Sequence, residues 1–167
     1  KFFSHTDTEV VLRSYMEWGL DSVQKFRGMF AYAIWDKKED KLVLCRDRVG
    51  VKPLYWYFKN NLFMFASELK SFHQHPKFEK KLNKEALSLF LQYGYIIAPH
   101  SIFKDAYKLE PGHFLIINKN QEIKKIKYWD VENSYQKGLK ERKTWLKKSE
   151  NEIAEELEAL LLEVFKL

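Results

Sequence analysis

The sequence predicts an α+β fold, on three observations. Four short apolar runs, Met29–Trp35, Leu42–Cys45, Leu54–Phe58 and Leu62–Ala66, are rich in aromatic residues and bounded by turn residues, as strands are. Segments before and after them carry capping residues followed by apolar positions at helical spacing. The chain has 167 residues, 46% hydrophobic and 16% aromatic, enough to bury a core and too apolar for a disordered chain.

Taken in order, Thr6 followed three residues later by Glu9 reads as a capping box that opens the first helix. Val10, Val11, Ser14, Tyr15 and Trp18 give it one apolar face, ending at Gly19. A short helix over Ser22–Phe26 leads into the strands. The first hairpin joins Met29–Trp35 to Leu42–Cys45 through the charged turn Asp36–Lys41. The second joins Leu54–Phe58 to Leu62–Ala66 through Lys59-Asn60-Asn61, since asparagine tolerates the left-handed backbone of a tight turn. Ser67 is the expected N-cap of a short helix over Glu68–His75, stopped by Pro76, and Asn83 that of a helix through Ala86, Leu87, Phe90 and Leu91 to Gly94. Leu109–His113 reads as a turn. Phe114–Ile117 and Ile123–Tyr128 then form a closing hairpin through Asn118-Lys119-Asn120.

Glu132–Lys148 has weak periodicity, Gly138 and many lysines, and reads as an interdomain linker that can be partly helical. Ser149 with Glu152 is a second capping box. Ile153, Leu157, Leu160, Leu161 and Val164 follow it at helical spacing, an apolar face too long for its own segment to cover.

Composition narrows the function classes. Net charge is +6, and residues 119–148 hold ten basic and four acidic residues, which accounts for all of it. A basic stretch can mark a nucleic-acid footprint, but this one lacks a reading motif, so a solvated linker is the better reading. No apolar run approaches the roughly 20 residues of a membrane helix, and Lys1-Phe2-Phe3 leads straight into polar residues rather than a secretory signal. One cysteine excludes an intramolecular disulfide framework and makes the cytoplasm the default setting. His73 and His75, two apart, do not share a helical face as a metal pair would, and no metal site is expected.

The specific signal lies where the strands end. Arg46, Asp47, Gly50, Lys52, Pro53, Leu54 and Tyr55 spell R-D-R-x-G-x-K-P-L-Y, followed by Phe65-Ala66-Ser67-Glu68-Leu69-Lys70. This resembles the carboxy-terminal half of the glutaminase domain of glutamine-dependent asparagine synthetases, within the class II glutamine amidotransferases. The likeness runs from about Thr6 to Asp130. Tyr95-Ile96-Ile97-Ala98-Pro99, Ile102-Phe103 and Leu109-Glu110-Pro111-Gly112 are similar to further elements of that family. The resemblance implies part of an N-terminal-nucleophile hydrolase αββα sandwich over 1–130, a basic linker over 131–148, and over 149–167 the first helix of an α/β synthetase domain.

What the resemblance implies for the site is specific. Asp7, in a [ST]-D-x-E motif, would hold the α-ammonium of glutamine; a charge-assisted hydrogen bond gives that contact direction. On the residues alone, Asp7 reads as a charge favouring the positive end of a helix. Arg46, Asp47, Gly50 and Pro53 are expected to order the loop near the glutamine pocket without taking part in chemistry, and Lys52 is unassigned. No catalytic residue is expected within the chain. The family's nucleophile is an amino-terminal cysteine whose α-amine lies beside the thiol. Cys45, mid-strand and without such an amine, reads as a core residue.

That cysteine, an R-H-R-G-P-D segment and an N-G-E segment would all precede Lys1, and the chain ends at Lys166-Leu167 inside a helical pattern, so both ends look cut. The polypeptide by itself is expected to be inactive. The full-length enzyme is expected to use glutamine, an aspartate-type acceptor, ATP and Mg2+, with no cofactor held by these residues, and the family admits a homodimer. Two other readings stand beside this one: a β-lactam-synthetase-like scaffold without the cysteine, and a basic module for an anionic or nucleic-acid partner.

Overall fold

A computed structural model describes residues 2–166; Lys1 and Leu167, where the chain was read as cut, lie outside the described residues. The chain forms two compact units, Lys1–Trp129 and Asp130–Leu167. In the first, seven strands occur in the order β1 (Ala31–Asp36), β2 (Lys41–Arg46), β3 (Tyr55–Lys59), β4 (Leu62–Ala66), β5 (Ala106–Lys108), β6 (His113–Asn118) and β7 (Ile123–Lys127). They make two antiparallel sheets, β1-β2-β6-β7 and β4-β3-β5.

Period-two alternation places each sheet between two layers. Leu42 and Leu44 of β2, Leu115 of β6 and Ile123 of β7 face Leu54, Trp56 and Phe63, so the sheets pack against each other through these side chains. The alternate residues of the larger sheet, Val43, Cys45, Phe114 and Ile126, pack on Tyr15 of helix α1 (Asp7–Trp18) and on Leu20 and Val23 of a 3-10 helix (Gly19–Lys25). The outer face of the smaller sheet, Tyr55, Tyr57, Met64 and Ala106, packs on Leu69 and Phe72 of a second 3-10 helix (Leu69–Gln74), together with Phe78 and Phe103. A mixed helix-and-sheet architecture in four layers results, with Tyr57, Phe114, Leu44 and Leu115 almost completely buried.

The β3–β4 turn forms as the asparagines require: Asn60 and Asn61 have φ of 49° and 59°, a two-residue hairpin in which Lys59 pairs with Leu62. Helix α2 (Lys84–Tyr93) starts at Asn83, whose Oδ1 accepts from the Glu85 and Ala86 amides, and stops at left-handed Gly94.

Several local expectations are corrected. Thr6 does cap α1 by accepting from the Glu9 amide at 3.4 Å, but Glu9 does not return the bond. Its carboxylate instead accepts from the Ser4 hydroxyl and from the Phe3 and Ser4 amides, which pulls its pKa down to about 2, the Ser4 hydroxyl first among the causes. The Ser22–Phe26 helix is a 3-10 helix beginning earlier, at Gly19. Ser67 caps nothing, because the backbone stays extended through Glu68 and the following helix is 3-10 without a side-chain cap. Strand β5 has no alternation to announce it; three residues are held there by β3 on one side.

In the second unit, α3 (Val131–Trp145) is capped by Asp130 accepting from the Asn133 amide, and α4 (Glu150–Phe165) by the reciprocal Ser149–Glu152 box. The linker-like lysines therefore lie on a regular helix. Ile153, Leu157, Leu160, Leu161 and Val164 are all at least 36% exposed. No helix among the described residues is long and apolar enough to cross a membrane.

Gly112 is the most tightly enclosed of the glycines. Its φ is +67°, and a Cβ there would lie 2.4 Å from the Trp129 carbonyl oxygen. Gly112→Ala should lower unfolding free energy by at least about 2 kcal/mol in urea titration, through left-handed strain and a backbone clash. Gly94→Ala, where a Cβ meets nothing within 4 Å, should cost only about 1 kcal/mol.

Candidate functional site at the β1 edge

Strand β1 is at the outside of its sheet, and along it runs a cavity of about 510 Å³. One wall is the first turn of α1, with Asp7, Thr8 and Val11. β1 itself lines it together with Met29 and Phe30, and so do Lys52, Pro53 and Ser67. Three segments distant in sequence therefore meet here. Asp7 and Lys52 are its only charged lining residues, and neither side chain bonds to another described residue.

Asp7 is held by the helix it begins. Thr6 ends the extended approach with φ −104° and ψ 142°, and the next residue projects from the first turn, where unpaired amides favour an anion. The Tyr15 hydroxyl donates to Asp36 Oδ2 at 3.0 Å, fixing the helix to the far end of β1.

The lining by Lys52 and Pro53 depends on the R-D-R-x-G-x-K-P loop. Asp47 is 1% exposed, and its two carboxylate oxygens accept the amides of Val51 at 3.0 Å and Lys52 at 2.9 Å. Its own amide donates to Phe30 O at 2.8 Å, and its carbonyl accepts from Gly112 N at 2.9 Å. Arg46 donates through Nε to Lys52 O at 2.8 Å, through Nη1 to Leu109 O at 2.6 Å and through Nη2 to Gly50 O at 2.7 Å. Gly50, at φ +70°, lies against this guanidinium and Pro111, where a Cβ would come within 2.8 Å of the proline ring. Arg48 donates to Phe26 O at 2.7 Å and so holds the end of the first 3-10 helix. Of the residues singled out in the sequence, Asp7 and Pro53 line the cavity, whereas Arg46, Asp47 and Gly50 shape the loop beside it. Lys52 and Ser67 line it too. Both lie inside quoted motifs, but their place in one cavity with Asp7 comes from the tertiary fold.

Cys45 is fully buried between the larger sheet and its helical layer. Burial pushes its thiol up to about 12, so at neutral pH it carries no thiolate and takes no part in the cavity. His73 stacks on Phe78 and meets Phe103 edge-on, a packing position.

A family model for the glutamine amidotransferase domain matches residues 1–129. The chain belongs to that family. Among its relatives, a Methanocaldococcus jannaschii protein named for glutamine-hydrolyzing asparagine synthetase is 43% identical over 129 residues, 75% of this chain and 25% of that protein. Asparagine synthetase 3 of Bacillus subtilis, also glutamine-hydrolyzing by name, is 37% identical over 134 residues, 80% of this chain and 22% of its own length. Amidase chry2 of Gibberella zeae is 32% identical over 169 residues, all of this chain and 23% of that protein. The chain thus spans about a quarter of the length of the curated relatives it matches. A solved glutamine phosphoribosylpyrophosphate amidotransferase from B. subtilis overlays with a TM-score of 0.49 at 20% identity, over 77% of this chain and 24% of that one.

Two outcomes follow for the loop and the thiol. Asp47→Ala leaves two inward amides without acceptors and should cost about 2–4 kcal/mol, with trypsin cutting faster at Arg48 than in wild type. Cys45 should react with a thiol-specific disulfide reagent at least about a hundredfold more slowly in the folded protein than in urea.

Proposed function

We propose that this chain is the glutamine-binding part of a glutamine-hydrolysing, ATP-dependent asparagine synthetase, which passes the glutamine amide nitrogen to an aspartate-type carboxylate. The observation that carries the reading is Asp7. It is a carboxylate at a helix start without a bonded partner among the described residues, lining a cavity that Lys52 and Pro53 of the family's own loop motif also line. A free amino acid brings an ammonium that needs such an anion, and the contact is directional and charge-assisted.

On this reading the two-sheet core is of the N-terminal-nucleophile hydrolase type, and glutamine lies along β1 with its ammonium on Asp7 and its side-chain amide farther along the groove. A thiolate from the complete protein's amino-terminal cysteine attacks the amide carbon and the C–N bond breaks. The nitrogen leaves as ammonia with a proton from the thiol–amine pair, and water cleaves the glutamyl thioester. Cys45 is excluded from this role by its burial. The chain's own residues bind and orient glutamine; the reacting sulfur is not among them.

Residues 131–148 would join this domain to a synthetase domain that begins with 149–167, and the whole enzyme would work in the cytoplasm. ATP and Mg2+ would serve that second domain. The residues here do not fit them: no group of three or more His, Cys, Asp or Glu among the described residues could hold a metal ion, and no S-G-G-x-D-S loop occurs in the sequence.

Asp7→Asn in the complete protein tests the reading. It keeps size and capping ability but removes the charge, so glutamine-dependent kcat/KM should fall about ten- to hundredfold, the equivalent of ~1.5–3 kcal/mol. Synthesis from added ammonia should be spared. Normal glutamine kinetics would reduce Asp7 to a charge favouring the helix.

A further inference from the structure

We infer that Tyr15 is a positioning residue: its hydrogen bond to Asp36 sets where helix α1 stands against β1, and so where Asp7 is held in the cavity. The inference rests on the glutamine reading above and adds to it the tie that aims the carboxylate.

The first support is that both ends of the bond belong to elements lining the cavity. Asp7, Thr8, Val11 and Leu12 line it from α1, and Tyr15, one turn beyond Val11, continues that face of the helix. β1 lines it as far as Trp35, and Asp36 is the next residue. The Tyr15 hydroxyl donates to Asp36 Oδ2 at 3.0 Å. Asp36 is itself a fixed acceptor, because its Oδ1 takes the amides of Lys38 at 3.0 Å and Glu39 at 3.2 Å. The tie therefore ends on the β1–β2 turn rather than on a loose side chain.

The second is how little else holds the helix. Ser14 is its one buried residue, and Val10, Leu12, Met16 and Trp18 are exposed. The bonds around its start stay within the segment: Phe3, Ser4 and Arg13 all donate to Glu9. Among the described residues, Tyr15 to Asp36 is the one hydrogen bond that joins residues 2–18 to either sheet. Asp7 and Tyr15 are separated by roughly 12 Å along the axis, so a ~10° swing about the Tyr15 end would carry Asp7 through about 2 Å. A shift of that size breaks a hydrogen bond to a ligand. Packing alone does not call for the hydroxyl, since the Tyr15 ring already rests on the core around Val43, Cys45 and Phe114.

The test is steady-state kinetics of the complete protein, well below its melting temperature, with glutamine and with added ammonia as nitrogen donor. Tyr15→Phe keeps the ring and should lower glutamine-dependent kcat/KM by about three- to tenfold, chiefly through KM, while sparing synthesis from ammonia. Added to Asp7→Asn, it should cost less than about twofold more, because the hydroxyl acts through that carboxylate. With Asp7→Asn itself impaired, three results would each overturn the assignment alone: normal glutamine kinetics in Tyr15→Phe, an undiminished loss in the Asp7→Asn background, or a parallel loss of ammonia-dependent synthesis. Normal glutamine kinetics in Asp7→Asn would overturn the glutamine reading and this assignment with it.

Discussion

The charges of Arg46 and Asp47 are directed at main-chain groups, and the shape of the site depends on that arrangement. A buried ion is costly unless hydrogen bonds replace its water. Here a guanidinium meets three carbonyls from residues 50, 52 and 109, and a carboxylate meets the amides of residues 51 and 52. These bonds tie the end of β2 to the start of β3 and to the segment before β6, so one cluster links the larger sheet to the smaller one. Tyr128 adds a further tie by donating its hydroxyl to Arg46 O at 2.7 Å. Lys52, whose main chain this cluster holds, lines the cavity with Pro53.

The remainder of the first unit supplies a stiff platform. Apolar side chains alternate on both faces of β2 and β6, so the central strands are buried on each side and their register cannot slip without exposing a full row. β1, by contrast, has a neighbour on one side only, and Trp35 is 54% exposed on it. Stability is thus concentrated at the middle of the sheet, while the chemistry-bearing groups collect where backbone is open.

Much of this was legible in the sequence because the signals were local. The strand runs, the Asn60-Asn61 turn, the Asn83 cap and the Ser149–Glu152 box each depend on a few neighbouring residues. Cys45 could be placed in the core for the same reason, since it lies mid-strand after the apolar run Leu42–Leu44. Other features were set by distant partners. β5 exists because β3 holds it, and the Glu9 carboxylate turned to Ser4 and Phe3 because the chain before the helix folds back onto it. The residues of the site divide in the same way. Asp7 and the loop motif could be singled out by resemblance, whereas the roles of Ser67 and Lys52 as cavity wall required the two sheets to be stacked.

Val49 and Val51, the loop positions between the framing residues, are 68% and 52% exposed. The frame takes nothing from their side chains; it uses only the Val51 amide. The loop is therefore an attachment point as well as a wall. A fluorophore or spin label carried on a cysteine at position 49 would sit on the loop whose Lys52 and Pro53 line the groove, away from the side-chain hydrogen bonds that shape it. With Cys45 sealed in the core, that new thiol would be the one that reagents reach, giving a reporter of ligand entry in an otherwise unmodified protein.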